Sequence, residues 1–268
     1  MNRTNKKELE ERILEIAIRA GEIIKDKAYS IEYIEWKHKD DPVTDLDRKT
    51  EKYIRDSLKE YGLNYLGEEY GREDNGSEIT LLIDPIDGTK SFIRKEFQSS
   101  VSIAAEKDDE IFFGVVYDFM KNIAYYANDT GAYLLLTEQN RTIQMPLTYP
   151  KLSKYTIAID NVPNISCILE NNPNYSIRES IGSVALNMAL LAQGSYDGLI
   201  MKMKKDEIYD IAAGCYIMKQ TGVHMQTLSG EEFEYKRHKE GLIALKADVS
   251  EDILETIVKD KNDRGNHR

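Results

Sequence analysis

The chain has 268 residues, of which 41% are hydrophobic, and a formal net charge of -11. That length accommodates one large domain or two small ones around a sizeable core. An acidic balance without a long basic stripe argues against a nucleic-acid polymer as partner. No run reaches the ~18 apolar residues of a membrane span, and the N-terminus leads into charged helix rather than an apolar signal core, so no membrane contact and a cytoplasmic location are expected. Cys167 and Cys215 are too far apart in sequence for a zinc or redox pair and are read as reduced packing residues.

From about Lys7 to Lys25, Leu9, Ile13, Ile16, Ala17, Ala20, Ile23 and Ile24 recur at helical spacing, which predicts a helix with one buried face. The charged and aromatic stretch Tyr29 to Asp41 reads as a loop or hairpin. Pro42 then precedes a second helical pattern, with Thr44 as its N-cap. Leu63 to Leu66 is a short apolar run ending in the acidic turn Gly67-Glu68-Glu69. After a polar loop, Gly71 to Glu78, the compact run Thr80-Leu81-Leu82-Ile83 predicts a buried strand that delivers Asp84 at its end.

From Ser99 to Leu136, short apolar runs separated by Lys107-Asp108-Asp109, Met120-Lys121-Asn122 and Asn128-Asp129-Thr130-Gly131 predict an antiparallel meander. The pattern changes at Pro146 to Pro150. Beyond it, strand-like Tyr155 to Ile159 and Tyr175 to Ile177 alternate with helix-like Val184 to Ala192 and Ile211 to Lys219. An N-terminal α+β half, 1–150, and a C-terminal α/β half, 151–268, are therefore expected, with a frayed tail from Lys259.

Asp84 and Asp87 lie three apart at the end of the predicted strand, with Pro85 fixing the turn between them. Carboxylates crowded this way repel by on the order of a kcal/mol or more unless a proton or a cation intervenes. Oxygen ligands with no nearby histidine or cysteine favour Mg²⁺ over zinc. Gly88-Thr89 adds close backbone approach and amides able to hold phosphate oxygens. In isolation, an Asp-Gly-Thr turn would more often be a solvated turn with a capping threonine.

The hexapeptide Asp84-Pro85-Ile86-Asp87-Gly88-Thr89 resembles the signature of the inositol monophosphatase family, which belongs to a lithium-sensitive phosphatase superfamily including fructose-1,6-bisphosphatases and 3'(2'),5'-bisphosphate nucleotidases. Three further blocks match that family's pattern in order: Val43-Thr44-Asp45-Leu46-Asp47, Gly67-Glu68-Glu69 and Tyr209-Asp210-Ile211-Ala212-Ala213-Gly214, where only Tyr209 replaces a usual tryptophan. Each block alone has a plainer reading. Thr44-x-x-Asp47 is also a capping pattern, Glu68 and Glu69 could be solvated turn charges, and Asp210 could simply open a helix.

The resemblance implies an α/β fold, layered as an alternating α-β-α-β-α sandwich, and frequent homodimers. It implies a first Mg²⁺ on Glu68, Asp84 and the Ile86 carbonyl, a second on Asp84, Asp87 and Asp210, and a weaker third near Glu68. Thr89, with Asp47 and Glu68, would activate a water, while Gly88 and Thr89 cradle the phosphate of a small-molecule ester. The segment Ser180-Ile181-Gly182-Ser183 resembles the family block that lines the alcohol side of the pocket, so Gly182, Ser183 and Asp210 are expected at the substrate.

The positions that set specificity depart from the family pattern. The family's arginine three residues before that glycine is Glu179 here, and its acidic hydroxyl-binding position falls on Met203. Lys90 after Thr89 resembles the nucleotidase branch, and Lys202, Lys204 and Lys205 could serve a second phosphate or a solvated strand edge. Three readings follow: a Mg²⁺ phosphatase of inositol or sugar phosphates, including fructose 1,6-bisphosphate; a nucleotidase acting on 3'-phosphoadenosine 5'-phosphate; and a catalytically silent module. Retention of all the metal carboxylates and Thr89 disfavours the last. His38, His224, His238, His267 and Trp36 are read as surface, loop or packing residues.

Overall fold

The computed structural model describes residues 3–254 except 31–33, 39–40, 97, 151–152, 161, 163–164, 166–168, 171, 181, 204–207, 238–240 and 250–252. The tail from Lys259, Cys167, His238, His267, Lys204 and Lys205 lie outside the described residues, as do the side chains of Trp36 and His38.

Helix α1, Arg3–Asp26, buries the predicted stripe of Leu9, Ile13, Ile16, Ala17, Ala20 and Ile24. The stretch after it forms a hairpin of β1, Ile34–His38, and β2, Asp41–Thr44. Helix α2, Asp45–Ser57, begins with a complete capping box. The Thr44 side chain accepts from the Leu46 and Asp47 amides, and the Asp47 carboxylate accepts from the Thr44 amide.

An eight-stranded sheet follows. It contains β3, Asn64–Gly67; β4, Gly71–Glu73; β5, Ile79–Asp87; β6, Ser100–Lys107; β7, Glu110–Asp118; β8, Ile123–Asn128; β9, Gly131–Leu136; and β10, Arg141–Gln144. Its order is β10-β9-β8-β7-β6-β5-β3-β4. Strands β6 to β9 form the expected antiparallel meander, which β5 and β10 extend on either side in antiparallel register, whereas β3 runs parallel to β5. That parallel pairing places the ends of β3 and β5, and hence Glu68 and Asp84, at the same end of the sheet.

The second sheet, in order β12-β11-β13-β15-β14, contains β11, Tyr155–Asp160; β12, Tyr175–Glu179; β13, Gly198–Met201; β14, His224–Thr227; and β15, Leu242–Leu245. Helix α3, Thr89–Ile93, follows β5, and helices α4, Val184–Gln193, and α5, Ile208–Gln220, lie between the sheets.

Layering follows from which faces are apolar. One core cluster joins α1 and α2 to one face of the large sheet through Ile54, Leu81, Ile83 and Val115. A second passes from Leu82 and Val116 on the other face through α4 and α5 to Leu199 and Ala244 of the small sheet. A third lies on that sheet's far side, where Ile157 and Ile243 meet Leu169 and Ile253. Helix, sheet, helix and sheet alternate as expected, with Leu169 and Ile253 packed on the outer face of the second sheet. Helices α4 and α5 are apolar nearly all round because they are packed on both sides.

Candidate active site

A regular strand sends residues three apart to opposite faces. In β5, however, Asp84 pairs with Ser102 and Asp87 with Ser100, so three steps on β5 face two on β6. This bulge carries the extra residue and turns both carboxylates to one side. Asp84 is 2% exposed and Asp87 5% exposed. One Asp84 oxygen accepts from the Ile86 amide at 3.0 Å, which holds the bulge from within.

Asp210, in the first turn of α5, completes a triad with Asp84 and Asp87 whose ligand oxygens lie within 4.8 Å of one another. Glu68 stands beside it, just beyond β3, where its amide donates to the Ile83 carbonyl at 3.1 Å and prolongs the β3–β5 pairing. Asp87 is held by two donors from one segment. One of its oxygens accepts from the Ser183 hydroxyl at 2.6 Å and the Ala185 amide at 2.7 Å, at the N-terminus of α4. Ser183 also caps α4 by accepting from the Leu186 amide at 2.8 Å, and it shares a hydrogen bond of 2.8 Å with Ser100.

Electrostatics shows how closely these groups converge. Burial pushes the Asp84 carboxyl well above the usual carboxylate range, and the charges of Glu68, Asp210, Asp87 and Asp47 push it further. Asp87 is raised to about 6, chiefly by burial, although its bonds to Ser183 and the α4 amides oppose the rise. Asp47 is raised to about 7, again chiefly by burial, against the two bonds from Thr44. Groups this reluctant to ionise together form a donor set suited to a hard cation, which removes the repulsion that burial amplifies.

Thr89 opens α3 behind Gly88, whose φ of +85° is the left-handed conformation glycine permits. The Thr89 hydroxyl lies 2.9 Å from the Ile86 carbonyl and 3.2 Å from Asp47 Oδ1, and so connects α2 to the turn after β5. A Cβ on Gly88 would stand 2.7 Å from the Ser183 amide nitrogen and 2.8 Å from the Gln98 carbonyl. A Cβ on Gly182, at φ +76°, would come within 2.1 Å of the same carbonyl. Two glycines therefore let the segment before α4 lie backbone to backbone against the β5–α3 turn and against Gln98 on the connection from α3 to β6.

Asp47, Glu68, Asp84, Ile86, Asp87, Thr89 and Asp210 are thus brought to one place. Gly182 is exposed beside them, whereas Ser183 is fully enclosed with its hydroxyl turned to Asp87. The Glu69 carboxylate is buried 3.8 Å from Arg48, and its charge adds to the rise of the Asp47 carboxyl. Glu179 and Lys202 are exposed, and Met203 is half-buried against the middle core. Sequence reasoning missed the anchoring of Asp87 by Ser183 and the α4 amides, since only the tertiary approach of the two glycine turns creates it. Cys215 is a buried free thiol pushed up to about 12 by burial.

The model of the inositol monophosphatase family matches residues 5–262, and the chain belongs to that family. It is 31% identical over 212 residues to the inositol-1-monophosphatase of Bacillus subtilis, covering 73% of this chain and 76% of that protein. It is 27% identical over 213 residues to the fructose-1,6-bisphosphatase of Pyrococcus furiosus, covering 80% of this chain and 81% of the relative. The crystal structure of the extragenic suppressor protein SuhB from Bartonella henselae superposes with a TM-score of 0.79 at 24% identity, covering 92% of this chain and 97% of that one.

Proposed function

We propose that this chain is a Mg²⁺-dependent phosphomonoesterase of small sugar or inositol phosphates, acting through a water activated at the Asp84–Asp87–Asp210 triad. The class, a phosphoric monoester hydrolase, follows from the family and its relatives, among them a combined fructose-1,6-bisphosphatase/inositol-1-monophosphatase of Aquifex aeolicus. The observation that carries the mechanism is the triad itself, two buried aspartates and the half-buried Asp210, with ligand oxygens within 4.8 Å of one another and the Asp84 carboxyl driven upward first by burial and then by the neighbouring charges.

Glu68, Asp84, the Ile86 carbonyl, Asp87 and Asp210 are the proposed holders of two Mg²⁺ ions, which when bound would polarise the phosphate and ease the ionisation of water. Thr89 is proposed to orient that water. Its hydroxyl can take the water's proton while passing its own to Asp47 Oδ1, 3.2 Å away. Asp47 is kept in place for this by the Thr44 bonds to its other oxygen. The amides of Gly88 and Thr89 would meet the phosphate oxygens, and exposed Gly182 would border the leaving alcohol.

Nucleotidase activity on 3'-phosphoadenosine 5'-phosphate is a second reading, favoured by the exposed Lys90 directly beside Thr89. Phosphate release with Mg²⁺ from inositol 1-phosphate, fructose 1,6-bisphosphate and 3'-phosphoadenosine 5'-phosphate decides between them. We expect the first two to be turned over with the higher kcat/KM. A preference for the nucleotide by orders of magnitude overturns that choice, and no turnover of any of them with metal bound would favour a silent module.

For the site itself, Asp87→Asn should lower kcat/KM by more than about a hundredfold, beyond the cost of losing a group that only supports a ligand. The metal-free variant should melt no lower than wild type, because the substitution removes a charge from a repulsive cluster. Wild-type turnover by Asp87→Asn would sink the metal assignment.

A further inference from the structure

The acidic turn Gly67-Glu68-Glu69 has a buried support that the proposed chemistry does not use. Glu51, on α2 one turn beyond Asp47, is wholly buried. One of its oxygens accepts from Arg55 Nε at 2.8 Å, and the other accepts from the backbone amide of Glu69 at 2.7 Å. A Cβ on Gly67 would stand 2.0 Å from Glu51 Oε1, so the glycine is what lets the carboxylate reach this position.

Arg55 is fixed in turn. It donates to the Gly71 carbonyl at 2.7 Å and to Glu73 at 3.0 Å, and its guanidinium lies over the rings of Tyr65 and Tyr70. Through these contacts the pair grips both strands, β3 and β4, that flank the turn, while Glu51 bonds the turn itself. A buried carboxylate is costly to retain unless paired and hydrogen-bonded, and here each of its partners belongs either to its own helix or to the Glu68 turn.

We propose that Glu51, clamped by Arg55, is a positioning residue that holds the Glu68 turn in register with Asp47, so that Glu68 is presented ready-made to a divalent cation beside Asp84. The proposal rests on the metal-phosphatase reading only for what Glu68 does once it is held. Glu51 touches neither substrate nor metal.

Glu51→Gln exchanges one accepting oxygen for a donor, so either Arg55 or the Glu69 amide loses its acceptor. Calorimetric titration of the variant with Mg²⁺ should show affinity weakened about tenfold or more. Half-maximal activity should then require correspondingly more Mg²⁺, with kcat at saturating Mg²⁺ retained to within about threefold. Amide hydrogen exchange at residues 68–70 should accelerate while that of α1 does not.

Ile54→Ala, which destabilises the same helix from its core face, should lower the melting temperature and leave the Mg²⁺ affinity unchanged. If Glu51→Gln does not fold, Gly67→Ala makes the same test by displacing the carboxylate from the opposite side, and the same loss of affinity is expected. Wild-type Mg²⁺ affinity and wild-type exchange at the turn in a folded variant would overturn the proposal. A wild-type protein that binds no Mg²⁺ would refute the metal reading instead, and the exchange measurement alone would then decide whether Glu51 holds the turn.

Discussion

Ser183 illustrates how one hydroxyl can serve a helix and a carboxylate together. It accepts from the Leu186 amide, as an N-cap does, and donates to Asp87. Ser183→Ala should cost about 1 kcal/mol of stability from the lost cap. It should also push the Asp87 carboxyl further up, since the serine bond opposes the rise caused by burial. Thermal denaturation together with Mg²⁺ titration checks both effects, and a variant that loses stability but keeps full Mg²⁺ affinity would separate them. The carboxylates at 47, 68, 84, 87 and 210 were legible in the sequence because they fall in four ordered blocks. The role of Ser183 was not, because a serine before an apolar helix announces only a cap.

Whole elements show the same division. The α2 cap at Thr44, the β5 run and the meander could all be read from local pattern. Strands β13 and β15 were not foreseen. Each has four residues, all buried, and a strand covered on both faces shows no alternation to distinguish it from a piece of buried helix. The bulge in β5 was equally silent, since it is defined by the Ser100 and Ser102 partners rather than by the aspartates. The contact between the β5–α3 turn and the segment leading into α4 makes its own prediction. Gly88→Ala should cost about 1–3 kcal/mol, because a left-handed residue acquires a side chain against two backbone atoms. Its activity should fall with it. Gly62→Ala, also at positive φ but with nothing within 4 Å, should cost about 1 kcal/mol and leave turnover intact, as paired melting and activity measurements would show.

Over the whole molecule, the raised carboxyls set a pH dependence of opposite sign to that of ordinary surface ion pairs. Asp84, Asp87 and Asp47 all hold protons in the folded state at pH values where an unfolded chain, with carboxyls near ~4, has released them. Their contribution to stability is therefore fully present below that value and is lost as pH rises through about 6 to 7. Carboxylates held down by lysine partners, such as Asp109 beside Lys236, ionise at lower pH and do not reverse this trend. Chelator-treated protein should thus melt progressively lower between about pH 5 and about pH 8, and saturating Mg²⁺ should flatten or invert the slope. A metal-free melting temperature that climbs across this range would contradict the repulsive cluster. The bond between Asp87 and Ser183 joins residues 96 apart in sequence, and Asp210 arrives later still on α5. Loop closure over such separations makes these contacts slow to form. Cation affinity should consequently report the docking of the last layers onto the large sheet: during refolding, the ability to bind Mg²⁺ should appear with native packing around α4 and α5, after the meander's own hydrogen bonds have formed.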